Sequence, residues 1–149
     1  MARKTFACGD SFTLTASNIK YLITMLRLGQ DQATGDETES SKRRGVRGIE
    51  IASELGIAKP SAHTMLENLA DRGLIEKDRY GAAFLTETGC DTAERYSDYF
   101  ELLFKTHKGL FKDRKEALGP ICSMLAELSA ESLQAMDRVV IHAQGVGCP

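Results

Sequence analysis

The chain has 149 residues, 42% of them apolar and 27% charged, with a formal net charge of -2, which suits one compact domain or a small domain with a helical accessory part. No run approaches the roughly eighteen apolar residues that a membrane span needs, and the N-terminal "MARKTFACGDSF" has charges but no signal-peptide core, so a soluble, cytoplasmic protein is the expectation. The net charge argues against a chain that coats polyanions indiscriminately, while leaving room for a local basic surface.

In chain order, Ile19, Leu22, Ile23 and Leu26 recur at helical spacing and predict a first helix over Thr15 to Leu28. Thr15 and Ser17 are its capping candidates and Gly29 its expected stop. The following "QDQATGDETESSKRRG" has no apolar periodicity and reads as a flexible insertion over 30–45. A short helix follows from Arg47 to Leu55, with Ile49, Ile51, Ala52 and Leu55 as its apolar set, Gly56 as its C-terminal stop and Ile57 turned inward.

Pro60 opens the next helix, where its fixed φ suits a helix start. Ala62, Met65, Leu66 and Leu69 fall at i, i+3, i+4 and i+7, and Arg72-Gly73 closes it. Helix, three-residue turn, helix is helix-turn-helix spacing. "LIEKDRYGAAFLTETG" then predicts two strands, Leu74 to Lys77 and Ala82 to Thr86, around a turn at Asp78 to Gly81. That hairpin would be a wing.

From Asp91 to His107 a helix carries Tyr96, Tyr99, Phe100, Leu103 and Phe104; another from Lys115 to Leu128 carries Leu118, Ile121, Cys122 and Leu125; Ser129 caps a last one. These helices hold more apolar surface than a small winged domain can cover, and a homodimer interface is the simplest use of the surplus. The fold class expected is mainly α, a winged helix-turn-helix with a two-stranded wing followed by an α-helical dimerisation region. The division is 12–90 winged helix, 91–143 dimerisation, and flexible ends at 1–11 and 144–149.

At steps of about 100° per residue, the face opposite the apolar stripe of the Pro60 helix presents Pro60, His63, Thr64, Glu67 and Asp71, flanked by Lys59, Ser61 and Asn68. The first two turns bear short donors and acceptors and no acid, suited to base edges and phosphates. The acids come later, so contact with DNA is expected to stop there. Arg79 and Tyr80 lie at the wing tip, and Arg43, Arg44 and Arg47 precede the supporting helix. From Lys42 to Gly81 eight basic residues face six acids, a local +2 in a chain of net -2. Expected DNA-binding residues are Arg47, Lys59, Pro60, Ser61, His63, Thr64, Arg79 and Tyr80. A winged helix also serves as a protein-docking module, which stays open as an alternative.

"LTASNIKYLITMLRL", the run from Gly48 to Gly89 and "YFELLF" resemble the metal-dependent repressors of the diphtheria toxin repressor and manganese transport regulator type. The resemblance implies a homodimeric transcriptional repressor that binds double-stranded DNA. Lys20, Ile23, Phe100, Leu125 and Ala126 stand where that family has metal ligands, leaving Cys122 as the surviving ligand position and a conventional divalent-metal site unexpected. No cofactor is expected. Cys8, Cys90, Cys122 and Cys148 are widely spaced with no CxxC and read as reduced thiols. A thiol- or haem-responsive regulator using Cys122 or the terminal Cys148-Pro149 is a further alternative. Nothing in the chain assembles a catalytic set, so no enzyme is expected.

Overall fold

The computed structural model describes residues 14–30 and 45–143. The expected flexible ends, nearly all of the 30–45 insertion, Lys42, Arg43, Arg44, Cys8 and Cys148 lie outside the described residues.

Helix α1 spans Ala16–Gln30. Thr15 alone caps it: its hydroxyl accepts from the Asn18 N–H at 3.2 Å, satisfying one of the orphan donors of a first turn. The helix runs through Gly29 to Gln30 rather than stopping at Gly29. A helical glycine costs only about 1 kcal/mol, too little to end a helix whose Ile19, Leu22, Met25 and Leu26 are all buried.

Two residues, Val46–Arg47, form β1, a strand too short to leave any periodicity in sequence. Arg47, expected to begin the supporting helix, is extended instead and stands just before α2, Gly48–Leu55. Its N–H donates to Glu50 Oε2 at 2.8 Å, half of a capping box. Ile51 and Ala52 are buried, but Ile49, expected to face inward, is 52% exposed. Residues 49 and 51 are about 200° apart around a helix, so both cannot face one core. Gly56 ends α2 with φ +65, a left-handed conformation that favours glycine.

After the turn comes α3, Lys59–Asp71, with Pro60 in its first turn and Ala62, Leu66 and Leu69 buried. Strands β2, Ile75–Lys77, and β3, Ala82–Leu85, form the expected hairpin. The sheet has the order β1-β3-β2, with both pairings antiparallel, so β1 adds a third strand to the wing's two. Val46 and Ala83 are partners in it and both are buried.

Helix α4, Glu87–Thr106, begins four residues before the expected Asp91. The cause is Thr86. Its hydroxyl accepts from the Gly89 N–H at 3.0 Å and donates to the Gly73 carbonyl at 2.8 Å, while its own N–H donates to the Leu74 carbonyl at 3.1 Å. One residue thereby caps α4 and ties it to the end of α3 and the start of the hairpin. Gly89 makes this approach possible: a Cβ there would lie 1.8 Å from the Leu74 carbonyl oxygen.

Helix α5, Arg114–Glu127, is capped by Asp113, which accepts from Glu116 N–H at 2.9 Å. Helix α6, Ala130–Ala143, follows Ser129, whose hydroxyl accepts from Ser132 N–H at 3.2 Å as the sequence indicates. Helix α1 packs against both α4 and α5, and α6 rests on α4. Much of the apolar surface expected to be surplus is therefore used within the chain: Tyr99, Phe100, Leu118, Ile121 and Leu125 join the core shared with α1.

The seam between α4 and α6 is polar. Arg95 Nη2 reaches Asp137 Oδ2 at 2.5 Å, and the Tyr99 hydroxyl donates to Asp137 Oδ1 at 2.6 Å while accepting from Arg95 Nε at 2.5 Å. Burial, and then the bond to Asp137, hold the phenol protonated well above its ordinary range. Asp137→Ala removes the shared acceptor of a half-buried network and is expected to destabilise by about 2 kcal/mol, read as a lower midpoint in urea unfolding; Tyr99→Phe is expected to cost about half as much.

Candidate nucleic-acid interface

The N-terminal turns of α3 are free because its other side is occupied. Leu66 reaches back to the first residue of α2, where a Cβ on Gly48 would lie 3.3 Å from its side chain. Burial of Ala62, Leu66 and Leu69 against α2 and the hairpin fixes the rotation of α3 and leaves Lys59, Pro60, Ser61, His63 and Thr64 exposed. No acid stands in the first turn, and Ala58 at the N-cap offers no side-chain acceptor. Pro60 has no N–H, so the N–H groups of Lys59 and Ser61 and the positive end of the helix dipole are what the first turn offers an anion. Thr64 donates its hydroxyl to the Pro60 carbonyl at 3.0 Å, which leaves the oxygen lone pairs to accept from a ligand.

The wing tip is shaped by Asp78. Its Oδ1 accepts from the N–H groups of Tyr80 at 2.8 Å and Ala82 at 2.9 Å, an Asx-type turn that closes the hairpin locally. Arg79 and Tyr80 project from it, and Tyr80 is 82% exposed. Arg47 is the cross-strand partner of Ala82, which sets it beside the wing tip as well as at the N-cap of α2. The eight expected residues therefore come from three places: β1, the first turns of α3 and the wing turn.

Sequence reasoning missed a charge pairing within this surface. Lys77, the last residue of β2, donates to Glu67 on α3, and His63 Nε2 lies 3.8 Å from the same carboxylate oxygen. The lysine hydrogen bond, with its charge, holds the Glu67 carboxyl below the ordinary carboxylate range. Glu67 is accordingly not the bare acid that sequence suggests; Asp71, further along, is exposed. Ten residues and a strand separate Glu67 from Lys77, and no helical or strand spacing signals their meeting.

Of the positions where the resemblance has metal ligands, Ile23, Phe100, Cys122 and Leu125 are buried in the core. No group of three or more His, Cys, Asp or Glu residues suited to a metal ion occurs among the described residues. Cys122 is 1% exposed, and burial pushes its thiol up from 9.0 to about 12. Because the thiolate is the reactive form, the folded protein is expected to leave Cys122 unlabelled by iodoacetamide at pH 8 and to label it on unfolding in urea. The folded value is the raised one, so the thiol's contribution to stability is complete below pH 9 and is lost as pH climbs towards 12. The unfolding midpoint is expected to fall less over that alkaline window in Cys122→Ala than in the parent.

Residues 40–79 match the IclR helix-turn-helix domain. That match overturns the resemblance to the metal-dependent repressors of the diphtheria toxin repressor and manganese transport regulator type. Its described part runs from β1 through α2 and α3 to the turn of the wing. No curated protein matches the chain. Among solved structures, a hypothetical protein of Sulfolobus solfataricus is 18% identical, with 90% of this chain and 92% of that one aligned at a TM-score of 0.50. MepR, a transcription regulator of the Staphylococcus aureus multidrug efflux pump MepA, is 18% identical over 91% of this chain and 81% of its own, at 0.46. A MepR mutant bound to an oligodeoxyribonucleotide is 17% identical over 87% and 77%, at 0.41. At 18% identity the likeness to the Sulfolobus protein is one of fold. No helix among the described residues is long and apolar enough to cross a membrane.

Proposed function

We propose that the chain is a DNA-binding transcription regulator that inserts the N-terminal turns of α3 into a major groove, sets the wing tip on the flanking backbone and acts as a homodimer. The observation that carries the reading is the exposed set Lys59, Ser61, His63 and Thr64 on a helix rotationally fixed by Ala62, Leu66 and Leu69. Ser61, His63 and Thr64 reach base edges, and Lys59 with the helix start favours phosphate. Arg79 and Tyr80 supply a cation and a phenol for phosphate oxygens, and Arg47 a second cation beside them. Exposed Met124 on α5 and Val139 and Ile141 on α6 supply apolar surface for a second copy.

A pool of random duplexes, selected on the purified full chain and sequenced, tests both parts. A two-fold reader is expected to enrich a pseudo-palindrome with half-sites one helical turn, roughly 34 Å, apart. Affinity is expected to fall steeply with salt as counterions return to the duplex. No enrichment and no salt dependence would instead favour a protein-docking module.

A further inference from the structure

We infer that Lys77 is a cation withheld from DNA by Glu67, and that this pair sets how much phosphate charge the interface neutralises. The inference rests on the DNA-binding reading above and adds a charge-setting pair to it.

Lys77 closes β2 immediately before the wing turn, and its cross-strand partner Ala83 is buried. Partners across an antiparallel ladder project to the same face, so the lysine stem leaves the sheet on its covered side, toward α3, where Nζ meets Glu67 Oε1. The lysine side chain is 25% exposed and the glutamate side chain 53%. The lysine is thus the more covered side chain of the two, and Glu67 the one more open to solvent beside the reading turns. Glu67 follows His63 by one turn, with His63 Nε2 3.8 Å from the same oxygen. An unpaired carboxylate at this place would repel the phosphate backbone flanking a groove entered by His63 and Thr64; paired with Lys77 it leaves the third turn of α3 close to neutral. Conversely, a free Lys77 at the wing base would reach for a phosphate. An exposed pair adds little to stability, so removing it changes binding rather than folding.

The test uses the full chain and a labelled duplex of random sequence, with affinity followed by fluorescence anisotropy from 50 to 200 mM salt and thermal melts as a check on folding. Glu67→Gln is expected to release Lys77 onto a phosphate, steepening the slope of log K against log salt by about 0.9 and adding a three- to fourfold loss of affinity across that range. Lys77→Met is expected to weaken binding through the bare carboxylate while leaving the slope as in the parent. The double variant is expected to recover the parent's affinity and slope. A Lys77→Met slope shallower by about 0.9 would mean that the lysine already sits on phosphate and would overturn the inference, as would an unchanged slope in Glu67→Gln. A parent chain with no duplex affinity at any salt overturns the DNA-binding reading itself, a result distinct from either.

Discussion

Replacing His63 and Thr64 together by alanine is expected to lower affinity for a selected operator by about 30- to 300-fold, while affinity for random duplex changes by less than threefold. Each good base-edge contact carries roughly 1–3 kcal/mol of discrimination, and contacts at adjacent positions do not add fully. Both side chains are exposed on α3, and neither contributes to the buried set of Ala62, Leu66 and Leu69. The double variant should therefore keep the parent's melting temperature. Arg79→Ala is the contrasting case: binding to operator and random duplex should weaken alike, with the salt slope shallower by about one. The measurement is paired anisotropy titrations on both duplexes; equal losses on the two in His63→Ala/Thr64→Ala would remove α3 from the reading role.

The second large effect is one of stability. Gly89→Ala is expected to destabilise by at least about 3 kcal/mol, at the top of the range for overpacking, and to lower the melting temperature by several degrees. The added Cβ would meet the Leu74 carbonyl oxygen at 1.8 Å and its carbon at 2.8 Å. Both are backbone atoms, so no side-chain rotation relieves the contact. Relief requires α4 to back away from the hairpin, which stretches the bonds of Thr86 to Gly73, Leu74 and Gly89. Thr86→Val, nearly the same shape without the hydroxyl's two bonds, is expected to cost about 1–2 kcal/mol. Circular dichroism melts of both variants measure the difference; a Gly89→Ala chain as stable as the parent would show that the close approach is dispensable.

The helix-turn-helix and hairpin were legible in the sequence because their signals are strong and local. Pro60 at a helix start, the apolar spacing of Ala62, Leu66 and Leu69, and Asp78 to Gly81 between two short strands each constrain the backbone directly. The same features account for the resemblance to the metal-dependent repressors. Any winged helix needs a turn at Gly56, an apolar face on α3 and a hairpin after it, so "GIEIASELGIAKPSAHTMLENLADRGLIEKDRYGAAFLTETG" satisfies several families at once. The positions that separate them were those where the ligands were missing, and the match of residues 40–79 lies elsewhere.

What the sequence did not show depends on partners distant in the chain. Val46–Arg47 is a strand only because Ala82 and Ala83 pair with it. Helix α4 begins at Glu87 because Thr86 finds Gly73 and Leu74, residues on another element. The Glu67 to Lys77 and Asp137 to Arg95 pairs likewise join elements whose relative placement is a tertiary outcome. Of the candidate interface, the residue types and the exposed face of α3 were readable, whereas the placement of Arg47 beside the wing tip and the neutralised state of Glu67 were not.

The joint at Thr86 also has a mechanical consequence. Helix α4 has 20 residues, a rod about 30 Å long, and its first turn is clamped to the root of the hairpin while its middle carries α6. Length makes that clamp sensitive to angle: tilting α4 by some 5° moves its far end by about 2.6 Å over this length. The hairpin and the helix that carries α6 therefore share one joint, Thr86, and a tilt of either is taken up by the same three hydrogen bonds.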